Sequence, residues 1–121
     1  MTNTYVVDAS ALIALFRGHQ DVFRLFEDAE AGRVQMVFPA AAIAEANTYI
    51  QAGQGAWDPL LLGRVTCVPL SEHIATTIGP WPGGLAVRHV VYEARAVLGD
   101  VVTLEPDRYR PWTMPLLVFP S

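Results

Sequence analysis

Lysine is absent from this 121-residue chain, whose positive charge rests on eight arginines alone. Against twelve acidic residues they leave a net charge of −4. That balance is a poor footprint for broad nucleic-acid binding, although arginine forks suit a few phosphates gripped locally. Cysteine is nearly missing too. Cys67, the single one, cannot close an internal disulfide, which fits a reducing compartment such as the cytoplasm. Flanked by Val65, Thr66 and Val68, it reads as a small buried strand residue rather than a nucleophile. No apolar run of eighteen residues escapes a charge, and no basic leader precedes an apolar segment, so neither a membrane span nor a signal peptide is expected. There is no repeat and no low-complexity tract. What is plentiful is apolar residues, 52% of the chain, enough for one compact domain over residues 1–121.

Charge is scarce in two stretches, and each holds one acid. Asp8 is the sole charge in the first sixteen residues. The β-favouring Tyr5-Val6-Val7 precedes it and the helix-favouring Ala9-Ser10-Ala11-Leu12-Ile13-Ala14-Leu15 follows. A carboxylate where a central strand runs out lies in the crevice in which open α/β sheets bind ligands. Buried there it needs a cation, a proton or several N–H donors, and capping the helix is the plainest alternative role. Glu45 is the sole charge between Val34 and Trp57. It stands in the alanine-rich run Pro39 to Ile50, where helical spacing places Ala41, Ala42 and Tyr49 beside it. That face is too poor in polar residues for a solvated stripe.

Strands and helices alternate along the chain. Strands are expected at Thr4–Asp8, Val34–Phe38, Val65–Leu70 and Val101–Thr103, with Leu116–Phe119 as an edge strand hemmed by Pro115 and Pro120. Helices are expected to about Arg17, over Asp21–Ala31, from Pro39 to near Gly53, from a Ser71 cap through Ile78, and over Leu85–Leu98. Gln51–Gly63 reads as a loop or short helix. In the last helix Arg88, His89, Tyr92, Glu93 and Arg95 read as a solvated face of ordinary i,i+4 pairs. Trp81, Trp112 and the tail Met114 to Phe119 are candidates for an exposed interface. The alternation implies a parallel sheet covered on both faces.

The segments Val6 to Leu12, Phe38-Pro39 through Ala44-Glu45-Ala46, and Val101-Val102-Thr103-Leu104-Glu105-Pro106 together resemble a PIN domain of the VapC toxin type, from Tyr5 to about Tyr109. The resemblance implies a three-layer α/β/α sandwich with a mainly parallel sheet. It implies a Mg²⁺- or Mn²⁺-dependent endoribonuclease, the toxin of a toxin–antitoxin pair, with RNA as substrate and an antitoxin protein or a second copy as partner. Asp8, Glu45 and Glu105 then take the catalytic and metal-binding positions, with the hydroxyls of Ser10 and Thr103 supporting them.

That chemistry wants clustered acids. Phosphodiester hydrolysis needs an activated water and a neutralised leaving oxygen, and hard divalent ions on carboxylates supply both. Two carboxylates about 4 Å apart repel by roughly 4 kcal/mol at an effective dielectric near about 20, so the cluster calls for a cation. Ser10 and Thr103 would orient the carboxylates or a bound water. Arg108 and Arg110 read mainly as a surface turn, although they could reach a phosphate.

The chain departs from the family pattern in two places. The family carries a further Asp near the start of the helix before the late strand, yet Trp81 to His89 contains no acid, and Glu105 stands where the family has Asp. The alternative is a catalytically inactive PIN-like module that binds RNA or a protein. Other chemistries lack their marks. Ser10 stands where an aspartyl-phosphate enzyme wants a second acid, His19, His73 and His89 are scattered, and no Gly-x-Ser-x-Gly elbow occurs.

Overall fold

The structure, a computed structural model, describes residues 2–121. In chain order it contains β1 (Thr4–Val7), α1 (Ala9–Phe16), α2 (Gln20–Glu30), β2 (Gln35–Pro39), α3 (Ala40–Ile50), α4 (Gln54–Leu61), β3 (Thr66–Val68), α5 (Glu72–Ile78), α6 (Leu85–Val97), β4 (Asp100–Thr103), a 3₁₀ turn (Pro106–Tyr109) and β5 (Leu116–Val118). The sheet runs β3-β2-β1-β4-β5 and every pairing is parallel. Consecutive residues of a strand point to opposite faces, yet Val6 and Val7 of β1 and Val101 and Val102 of β4 are all fully buried. Both faces are therefore covered by helices, which is the three-layer α/β arrangement. The two edge strands are three residues each, as unpaired edges tend to be.

The stretch after α3, expected as a loop or a short helix, forms the short helix α4, anchored by buried Trp57, whose indole N–H donates to Asn47 Oδ1 at 2.8 Å. Other local expectations change. Cys67 is exposed rather than buried, because β3 is an edge strand. The supposed solvated face of α6 is partly interior: His89 and Glu93 are buried, since α6 packs at once on α3 and across β1, β2 and β4. His89 Nδ1 accepts from the Ala41 N–H at 3.3 Å, capping α3 from another helix where Pro39 supplies no side-chain cap. Trp81 and Trp112 are half-buried against each other at 5.3 Å, with the Arg95 guanidinium over both rings. Among the described residues no helix is long and apolar enough to cross a membrane.

Candidate functional site

β1 and β4 lie side by side in the middle of the sheet, so their C-terminal ends deliver Asp8 and Thr103 to one edge. The Asp8 N–H still joins the ladder, donating to the Val102 carbonyl at 3.1 Å. Its side chain caps α1 through Oδ1, which accepts from Ala11 N–H at 2.9 Å. The capping role is thus real, and it is only part of what holds this buried carboxylate. Oδ1 also accepts from Ser10 Oγ at 2.7 Å, and Oδ2 accepts from the Tyr109 hydroxyl at 3.0 Å.

A hydroxyl carries one proton, which fixes the direction of the bonds around it. Ser10 donates its proton to Asp8, so at 3.3 Å from Thr103 Oγ1 it must be the acceptor. Ser10 Oγ accepts as well from Leu104 N–H, and Thr103 Oγ1 accepts from Glu105 N–H, each at 2.9 Å. A chain of donors therefore runs from the Glu105 amide through Thr103 and Ser10 into Asp8. Both supporting hydroxyls expected from sequence stand in it. Besides the carboxylate, the chain ties the turn after β4 to the start of α1.

Glu45 comes in from α3 and is partly buried. Both of its oxygens are taken by one guanidinium, Arg108 Nη1 at 2.6 Å and Nη2 at 2.8 Å. These hydrogen bonds hold the Glu45 carboxyl below its usual value of 4.5, with partial burial opposing and the Arg108 charge adding to the effect. The pair raises the Arg108 pKa in return. Glu105, largely exposed, lies 3.9 Å from Arg108 Nη1. Burial is the main reason the Tyr109 hydroxyl is pushed up, with the Asp8 charge reinforcing it.

The structure therefore brings the expected acids to one edge and joins them through the 3₁₀ turn: Tyr109 to Asp8, Arg108 to Glu45 and toward Glu105. The surface-turn expectation holds for exposed Arg110, which pairs with Asp107, and fails for Arg108. Tyr49, expected beside Glu45 on its helix face, is exposed there, and Arg17 is a neighbour that no sequence motif marks. With Ser10, Glu45, Glu105 and Arg108 they line an open groove of about 400 Å³. Gly84, within the acid-free stretch, faces the site too. A Cβ on Gly84, the residue before α6, would lie 3.6 Å from Arg108 Nη2. Arg88 is engaged elsewhere, donating to the Ile78 and Gly79 carbonyls.

The divalent ion implied by the resemblance does not fit this donor set. Both oxygens of Asp8 accept hydrogen bonds from the protein, both of Glu45 face a guanidinium, and among the described residues no three Asp, Glu, His or Cys side chains converge to hold an ion. The expected three-carboxylate ligand set of Asp8, Glu45 and Glu105 is thus not formed. A cation does sit at the acids, but it is Arg108.

No protein-family model and no curated protein matches the chain. Solved structures do. One chain of the crystal structure of VapBC2 from Rickettsia felis, bound to a DNA fragment from their promoter, superposes with a TM-score of 0.73. Its identity is 12%, and the match covers 96% of this chain and 98% of that one. The fold is PIN-like. At that identity the likeness concerns the path of the backbone.

Proposed function

We propose that this chain is a PIN-like domain of the toxin–antitoxin kind that holds a single-stranded RNA without hydrolysing it through a metal ion. The bidentate Arg108–Glu45 pair carries the reading, because it already satisfies the acid that a metal would need. The groove above it has the parts a strand requires. Arg17 has no acidic partner among the described residues and is free to take a phosphate. Tyr49, 69% exposed, offers a ring on which a base can stack. The likeness to a VapBC2 chain makes an antitoxin protein the expected partner, with a second copy of the chain as the other.

The test is anisotropy of a labelled single-stranded RNA with EDTA present. Arg108 is neutralised by Glu45, so roughly one phosphate contact is left, and log K should fall against log salt with a slope near about −0.7. Tyr49→Ala should cost about 1–3 kcal/mol of binding. Arg17→Ala should flatten the salt slope. Binding that is indifferent to both substitutions would refute the groove as the RNA site.

One observation favours the nuclease reading: Asp8 stands at the C-terminal end of central β1, where open α/β sheets place their chemistry. On that reading Asp8, Glu45 and Glu105 are catalytic, and Arg108 must leave Glu45 before Mg²⁺ or Mn²⁺ enters. RNA cleavage by the pure protein that needs either ion, and is lost in Asp8→Asn, would put this reading in place of the first.

A further inference from the structure

We infer that the turn Pro106–Tyr109 is a built-in plug that stands in the place of a divalent ion at the acids, with Arg108 the part of it that keeps Glu45 from a metal. The inference goes beyond RNA binding and stands whether or not the groove takes RNA. It rests on one short segment serving both acids. Adjacent residues of the turn send the Arg108 guanidinium to Glu45 and the Tyr109 hydroxyl to Asp8, so a single rigid unit answers carboxylates from α3 and from the end of β1. Pro106 opens the turn with its fixed φ, and the Arg108 N–H closes it on the Glu105 carbonyl at 3.1 Å.

The position of the guanidinium adds a second line. It reaches from Glu45 on α3 across to Gly84 at the start of α6, and Glu105 approaches it from the strand side. It thus lies between Glu45 and Gly84 with Glu105 at its flank, while its neighbour Tyr109 answers Asp8. Arg108, whose pKa is raised by this pairing, keeps its charge at any physiological pH, so the block is not lifted by titration. A planar fork on a carboxylate gives two directed bonds, which a hydrated ion must beat while also displacing the charge already there.

The experiment uses the full chain and Mn²⁺ alone, read by the electron-spin signal of free Mn²⁺ and by thermal melting. Wild type should bind no Mn²⁺ at the acids and show no Mn²⁺-dependent shift. Arg108→Gln should bind at least tenfold more tightly than wild type and melt higher with the ion than in EDTA. Arg108→Gln/Glu45→Gln should lose that gain. Equal Mn²⁺ binding by wild type and Arg108→Gln, or none by a folded Arg108→Gln, would overturn the inference. Should Arg108→Gln fail to fold, wild type alone still decides through amide spectra: selective Mn²⁺ broadening at Ser10 and Glu45 would overturn it, and unbroadened signals there support it. RNA binding in EDTA is a separate readout, so failure of the plug and failure of the RNA reading are told apart.

Discussion

Replacing Glu45 by Gln separates two opposite expectations. Bare clustered carboxylates repel, so deleting one should stabilise the fold. The structure predicts the reverse, because Glu45 is the partner of Arg108 through bonds of 2.6 and 2.8 Å. The side chains are 28% and 30% exposed. That places the pair between exposed pairs, worth about 0.2–1 kcal/mol, and hydrogen bonds to charged groups, worth about 1.5–3 kcal/mol. A loss of about 1–2 kcal/mol follows, with Glu105 taking over part of the guanidinium's charge. In a domain of this size it should lower Tm by about 4–8 °C. The pH dependence has a definite sign. The folded-state pKa of Glu45 is depressed, so its contribution is fully present above the ordinary value of 4.5 and is lost as the pH falls through the folded pKa. Urea unfolding of wild type and Glu45→Gln, at neutral pH and through the acid range, reads both effects, and a cycle with Arg108→Gln isolates the coupling. A variant as stable as wild type at neutral pH, or a deficit that persists unchanged in acid, would refute the reasoning.

Three further outcomes are expected. Tyr109→Phe leaves Asp8 Oδ2 buried without its donor and should cost about 1–3 kcal/mol in chemical denaturation; an unchanged midpoint would mean that the hydroxyl contributes nothing net. Gly84→Asp places a capping carboxylate at an extended residue facing Arg108, and should raise Tm by about 1–3 °C, with a smaller gain once Arg108 is Gln. Burial lowers the His89 pKa from 6.5, so its contribution is present above 6.5 and is lost as the pH falls below it, while buried Glu93, raised from 4.5, acts in the opposite sense as the pH rises above that value. His89→Gln keeps a neutral acceptor for Ala41 and should flatten the acid loss below 6.5 in pH-dependent melts, whereas an identical slope would clear His89 of the role.

What the sequence made legible was what local contrast marks. Tyr5-Val6-Val7 giving way to Asp8 and an alanine-rich run locates both the strand end and the cap, and the lone Glu45 marks the face of α3 that meets the site. Alternation of apolar and amphipathic stretches gave the parallel sheet. The contacts that decide the chemistry are long-range. Arg108 is 63 residues from Glu45, and Tyr109 is 101 residues from Asp8, and neither separation leaves a periodic trace. The buried polar pair of α6 looks like a surface face in the sequence for a related reason. His89 and Glu93 satisfy each other at 3.2 Å, so a polar pair at i,i+4 can sit in the interior as comfortably as on the surface. One local trace exists: Glu105 and Arg108 stand three residues apart on either side of Pro106, the spacing of a tight helical turn that points both toward one side.

Two acids gathered at a sheet edge have three ways to be tolerated: a proton, an ion from solution, or donors belonging to the protein. Glu45 does not take the first, because the Arg108 hydrogen bonds push its pKa down rather than up. Asp8 is buried yet receives bonds from Ser10, Ala11 and Tyr109, so the third way is already complete for it. Arg108 completes it for Glu45. Donors supplied by the chain are positioned as the fold forms and are not diluted when solution conditions change. The second way leaves a site whose shape depends on the ion, whereas this one leaves a site that the fold itself holds in place. The missing acid before α6 is consistent with that choice, since a guanidinium between Glu45 and Gly84 needs fewer carboxylates around it than a doubly charged ion does.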